Sequence, residues 1–122
     1  VKGSLAAKAY GASTISERHR HRYEVNNSFV DRLTKAGLVF SGTSPNGDLM
    51  EIAELPQNKH PFFLGTQFHP EFMARPLAPH PLFTAFMKAA KDRNKEIGSR
   101  LQSEELSPDE TGKISIEKEL FA

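Results

Sequence analysis

Phe62-Phe63-Leu64-Gly65-Thr66-Gln67-Phe68, bounded by Pro61 and Pro70, is the most apolar stretch of this 122-residue chain. A near-continuous apolar run of that length is what a strand covered on both faces requires. Gly65 in its middle implies close backbone packing or the approach of a substrate. Directly after it stands His69-Pro70-Glu71. Two residues apart in extended backbone, His69 and Glu71 project to one side, roughly 6.5–7 Å apart at the backbone. Pro70 favours that geometry, because the residue before a proline is pushed toward the extended region. Glu71 can then accept from one imidazole nitrogen and leave the other free as a base. That is the base-and-orienter half of a nucleophilic triad, and the end of a strand in an α/β sheet is where such residues act. The spacing alone is common by chance, so a nucleophile must be found. Gly11-Ala12-Ser13-Thr14-Ile15 begins like a nucleophile elbow but lacks the closing glycine and a preceding strand, so Ser13 is a poor candidate.

Outward from this stretch, strands and helices alternate, which places the chain in the α/β class. Residues 1–16 are small and polar and read as loop. Tyr23 to Val25 is a short strand candidate. Asn27 is a good N-cap, Phe29, Val30 and Leu33 recur at helical spacing, and Gly37 stands where a C′ residue belongs, so a helix of about ten residues is expected. Leu38-Val39-Phe40 and Leu49 to Leu55 form a hairpin across Pro45-Asn46-Gly47-Asp48, where Asn-Gly tolerates positive φ. Leu82, Phe83, Phe86, Met87 and Ala90 mark the core face of a helix running to about Lys95, with Pro81 in its first turn. Beyond Gly98 the pattern is lost. Ile114, Ile116 and Leu120-Phe121 suit a short strand or docking tail. The division expected is therefore a folded portion over 1–95 and an acidic, flexible tail over 96–122.

Hydrophobic residues make up 38% of the chain and charged residues 25%, with nine Phe. That fits one domain of modest size, or a piece of a larger one, and excludes a disordered chain. No apolar run nears ~18 residues, so no membrane partner is expected. The absence of cysteine excludes a disulfide scaffold, a Cys-ligated zinc site and a cysteine nucleophile from this chain. The sequence opens on Val1 rather than Met, which suggests a start inside a longer polypeptide or processing, and no secretory signal pattern follows. Net charge is +1, but residues 1–95 hold 13 Lys and Arg against 8 Asp and Glu, whereas 96–122 hold 3 against 7.

The positive excess centres on Arg18-His19-Arg20-His21-Arg22-Tyr23. A solvated basic stretch is the default reading. In extended backbone His19 and His21 share a face and could ligate a metal, but sequence offers no neighbouring carboxylate or third histidine. Nucleic-acid binding has the right residue types. The run is short, however, and the overall charge almost neutral, so nucleic acid is not the expected partner. A grip on a carboxylate or phosphate by one arginine fits at least as well. His60 and His80, each before a proline, read as structural or solvent-facing.

Taken together, Glu17-Arg18-His19-Arg20-His21-Arg22-Tyr23-Glu24-Val25-Asn26 and Gln67-Phe68-His69-Pro70-Glu71-Phe72 resemble the C-terminal end of the CTP synthase family. Met50-Glu51-Ile52, His60-Pro61-Phe62-Phe63, Arg75-Pro76 and Pro81 fit as well, so the likeness spans about residues 5–95. His-Pro-Glu alone would indicate only the wider class I (triad) glutamine amidotransferases; the arginine-histidine run distinguishes CTP synthase. The resemblance implies the C-terminal half of a mixed, mainly parallel sheet flanked by helices. It implies a Cys-His-Glu glutaminase in which His69 matches the catalytic histidine, Glu71 its orienting carboxylate and Arg22 a glutamine-binding residue. It further implies L-glutamine as substrate, the rest of a CTP synthase as partner, a homotetramer and a cytoplasmic location. No cofactor belongs to this segment. ATP and Mg2+ are implied for a synthase domain that aminates UTP to CTP.

The chain departs from that family in having no cysteine, no nucleophile elbow and no glycine-rich oxyanion loop. Base and orienter without a nucleophile give no thioester chemistry, so the chain alone is expected to be inactive. The competing reading is a non-catalytic binding module that uses the arginine-histidine run to hold an anionic ligand or nucleic acid. An active relative with an acceptor other than UTP is disfavoured by that same run.

Overall fold

A computed structural model describes residues 1–105, with side chains through Gln102. Its elements are α1 (Leu5–Tyr10), a 3-10 turn (Asn27–Phe29) running into α2 (Val30–Lys35), β1 (Val39–Thr43), β2 (Met50–Glu54), β3 (Leu64–Thr66), a second 3-10 turn (Pro70–Phe72) and α3 (Pro81–Glu105). Residues Val1–Ala89 form one compact unit and a second begins at Ala90.

The sheet has the order β1-β2-β3, and both ladders are antiparallel. The α/β class holds, but the mainly parallel pairing expected of the sheet is not what these three strands make. The reason lies in the connections: parallel neighbours need a crossover of a dozen or more residues. Ser44–Leu49 and Leu55–Phe63 are too short for that. The first hairpin follows its turn chemistry. Gly47 takes φ +80°, and Ser44 closes the turn by donating its N–H to the Leu49 carbonyl at 3.0 Å. Its Oγ accepts from Leu49 N–H at 2.9 Å. In the second, Ile52 faces Thr66 and Glu54 faces Leu64.

β3 is shorter than the apolar run suggests. It occupies the sheet edge, and burial alternates along it, with Phe63 and Gly65 exposed and Phe62, Leu64 and Thr66 half-buried. It is therefore covered on one face only. Gly65 has open space where a Cβ would stand, so it reflects no close backbone packing. The buried core is Ala6, Ile52, Phe68 and Leu82, with Ala9, Tyr10 and Leu64 packed against it. Burying side chains such as Ile52, Phe68 and Leu82 contributes about 1.5–3 kcal/mol each.

Residues 1–16, read as loop, contain α1. Ser4 caps it through Oγ, which accepts from Ala7 N–H at 3.1 Å, and Gly11 ends it at φ +64°. The glycine that resembled the start of a nucleophile elbow is thus a helix C-cap, and Ser13 lies exposed beyond it. Tyr23–Val25, expected as a strand, joins no strand of the sheet among the described residues. The helix expected from Asn27 forms, with Asn26 rather than Asn27 as its first cap and Gly37 at φ +101° after its end.

Pro81 opens α3, which continues to Glu105, past the boundary drawn at residue 95. Gly98 lowers helix propensity by about 1 kcal/mol without ending the helix. Leu82 is buried as expected, but Phe83, Phe86 and Met87 are 43%, 50% and 65% exposed, so the anticipated core stripe is open. Ile114, Ile116 and Leu120-Phe121 lie outside the described residues.

Candidate active site

β3 delivers the site. After Thr66 the chain stays tied to β2 through Gln67 N–H, which donates to the Glu51 carbonyl at 2.9 Å. Phe68 then drops into the core at 4% exposure, and Thr66 Oγ1 donates to its carbonyl at 2.9 Å. With Phe68 anchored, His69 has little freedom. Its backbone is extended (φ −110°, ψ 93°), as a residue before proline should be, and its N–H donates to the Arg18 carbonyl at 3.0 Å. Pro70 opens the 3-10 turn that carries Glu71.

Within this turn the expected pair meets: His69 Nδ1 lies 2.7 Å from Glu71 Oε1. The contact comes from the turn, not from two residues on one face of a strand. An ionised carboxylate only accepts, so Nδ1 carries the proton and Nε2 of the neutral ring has its lone pair free. The hydrogen bond from His69 holds the Glu71 carboxyl below the usual carboxylate range, and its own backbone hydrogen bond adds to this. Desolvation opposes the shift, and the charges of His69 and Arg20 reinforce it. The imidazole stacks on Phe72 with ring centroids 5.1 Å apart. The Arg18 guanidinium lies 5.8 Å above that ring, a cation–π contact that braces the turn. At 35% side-chain exposure His69 remains reachable.

The arginine-histidine run lies alongside. Arg18 is tied to His69 through its carbonyl, and the Tyr23 carbonyl accepts from Gln67 Nε2 at 3.4 Å. Arg22 stands between these two ties, with its side chain exposed. The structure therefore brings the segment bearing Arg22 to the segment after β3 that bears His69, across more than forty residues of sequence.

Tyr10, Glu17 and His80 form a second polar cluster that local spacing does not signal. His80 is 3% exposed. Its Nδ1 accepts from Leu82 N–H at 3.2 Å, so Nε2 carries the proton and donates to Glu17 Oε1 at 2.7 Å. The same oxygen accepts from the Tyr10 hydroxyl at 2.7 Å. Burial pushes the Tyr10 phenol well above its ordinary range, and Glu17 adds to the effect. His80 is thus structural, as a proline-preceding loop histidine was expected to be, whereas His60 is exposed. Glu51, on β2, supplies the carboxylate missing from the metal reading of His19 and His21. Thirty residues separate it from that pair, and local spacing carries no signal for it.

The family model for glutamine amidotransferase class I matches residues 2–89. A CTP synthase from Saccharopolyspora erythraea is 67% identical over 90 residues, covering 74% of this chain and 16% of that protein. One from Koribacter versatilis is 54% identical over 115 residues, covering 91% of this chain and 21% of the relative. Among solved structures, the glutaminase domain of Trypanosoma brucei CTPS with bound acivicin superposes with a TM-score of 0.67 at 44% identity. That match covers 75% of this chain and 36% of the other. The chain thus spans roughly a sixth to a fifth of the length of these curated relatives.

Proposed function

The chain belongs to the class I glutamine amidotransferases, and from that premise we propose that it works as a segment of the glutamine-hydrolysing domain of a CTP synthase. The observation that carries this reading is the 2.7 Å bond between His69 and Glu71 at the end of β3. In the proposed reaction a cysteine supplied by another segment is the nucleophile, since this chain has none. His69 Nε2 takes the thiol proton while Glu71 holds Nδ1–H and stabilises the imidazolium. The thiolate attacks the side-chain amide carbon of glutamine. His69 returns the proton to the departing nitrogen, the C–N bond breaks, and ammonia leaves a glutamyl thioester. Water, deprotonated by His69 Nε2, cleaves the thioester to glutamate, and the proton passes from Nε2 to the departing sulfur to regenerate the thiol. Arg22 helps to bind the glutamine. The ammonia then serves an ATP- and Mg2+-dependent amination of UTP to CTP in a separate synthase domain of a cytoplasmic homotetramer. Isolated, the chain is inactive.

Reconstitution tests this. Mixed or fused with the cysteine-bearing remainder, the chain is expected to support glutamine hydrolysis, and His69→Ala to reduce it by at least ~100-fold. Glu71→Gln should lower kcat more than it raises KM, and Arg22→Ala should chiefly raise KM. Full glutaminase activity with His69→Ala would end this reading. A salt-sensitive anion association lost in Arg20→Ala and Arg22→Ala, with no glutaminase in any combination, would favour a binding module instead.

A further inference from the structure

We infer that His19, His21 and Glu51 form a binding site for a single zinc-class divalent transition-metal ion. One ligand atom from each residue lies within 4.8 Å of the others. His19 Nδ1 is 3.1 Å from His21 Nε2 and 3.6 Å from Glu51 Oε2. Donor atoms bound at about 2.0–2.1 Å in a tetrahedral zinc site stand about 3.3 Å apart, and these two separations straddle that value.

Protonation points the same way. His21 Nδ1 faces two acceptors, the Tyr23 carbonyl at 3.1 Å and Glu24 Oε1 at 3.5 Å. It therefore carries the ring proton, and its Nε2 turns a lone pair toward His19. An outer hydrogen bond of this kind fixes the tautomer of a metal-bound histidine. His19 Nδ1 then faces a lone pair on one side and a carboxylate oxygen on the other, and one proton can satisfy only one of them. Among the described residues Glu51 Oε2 is buried with no hydrogen-bond partner, a state that calls for an explanation in a native fold. A cation at the centre satisfies all three atoms. Two imidazoles with one carboxylate suit zinc, cobalt, nickel or copper and not the oxygen-seeking magnesium or calcium. The half-open position of His19, 38% exposed, leaves room for water to complete the shell.

The donors rest on fixed supports. The His19 ring meets the buried Phe68 edge-on, with centroids 5.9 Å apart, and Glu51 is held within β2. A bound ion would clamp residues 19–21 onto β2, and the inference is independent of the proposed glutaminase role. The test titrates the purified 122-residue chain with Co2+, followed by its visible ligand-field bands, and then displaces it with Zn2+. One equivalent per chain is expected, with at least ~10-fold weaker binding in His21→Ala and in Glu51→Gln. His60→Ala, which removes an exposed histidine, should bind as the parent does. Equal affinity in all variants, or displacement by millimolar Mg2+ as effective as by Zn2+, overturns the site. If either ligand variant fails to fold by circular dichroism, imidazole 15N shifts of the parent chain decide. Zinc must then move His19 Nδ1 and His21 Nε2, and shifts confined to other histidines refute the assignment.

Discussion

Glu54 is 3% exposed, and both of its carboxylate oxygens are bound: Oε1 accepts from Leu5 N–H at 2.6 Å and Oε2 from Ala6 N–H at 3.1 Å. These are first-turn donors of α1, which have no partner within a helix. Glu54→Ala leaves them unmet in a buried place, and a loss of about 2–4 kcal/mol in urea unfolding is expected. Glu54→Gln, which keeps one acceptor, should lose less. A change within 0.5 kcal/mol for Glu54→Ala would show the cap to be dispensable. The folded pKa of Glu71 lies below the unfolded one, so the interaction favours the fold in full above the ordinary carboxylate range and is lost as pH falls below that range through the folded pKa. Carboxyl 13C NMR on His69→Ala should show Glu71 titrating closer to its ordinary 4.5. An unmoved titration would mean that the bond does not form in solution. The two cases also explain what sequence reveals at this scale. His69 and Glu71 are two residues apart, so local geometry exposes them; Glu54 and Leu5 are separated by 49, and only the packed sheet brings them together.

At the scale of elements, the first hairpin carries an irregularity that the sequence hides. Ladder spacing slips on either side of Gly42, and a Cβ there would lie 2.8 Å from Cγ1 and Cδ1 of Ile52. Ile52 belongs to the buried core and cannot swing into solvent. Gly42→Ala should therefore cost about 1–3 kcal/mol by overpacking, read as a lower urea midpoint. Pairing it with Ile52→Val should recover part of the loss, because the added methyl then meets a smaller neighbour; two strictly additive losses would contradict that account. The hairpin itself was readable, since Asn46-Gly47 names the turn and Pro56 the end of the strand. α1 was not: six residues are too few to show a period, and the helix is held by Glu54 and the core. The apolar run 62–68 reads as buried because composition reports apolarity and not neighbours. Its place at the edge follows from a sheet order that no local pattern fixes.

At the scale of the whole molecule, composition and surface disagree. An ordinary apolar content places only Leu5, Ala6, Ile52, Phe68 and Leu82 among the buried hydrophobics of the described residues. Phe83, Phe86 and Met87 are open on α3, Phe63 is 49% exposed and Leu77 wholly so. Phe62, which meets Phe86 with ring centroids 5.4 Å apart, is only half-buried. Among the described residues no strand pairs with the outer edge of β3, next to exposed Phe63. Soluble monomers rarely leave large contiguous apolar patches uncovered, and open edges recruit other strands. The isolated chain is therefore expected to self-associate at micromolar concentrations. Light scattering coupled to size exclusion should show a mass per particle that rises with concentration above 13.6 kDa. Phe83→Ser combined with Met87→Lys should shift the distribution toward monomer, since both side chains are exposed. A monomer at all concentrations for the parent chain would mean that these side chains find cover within the chain itself. The outcome also bears on the family reading: a segment that spans about a sixth of its relatives should have apolar surface for the remainder to cover, so full monomeric solubility would weigh against that role.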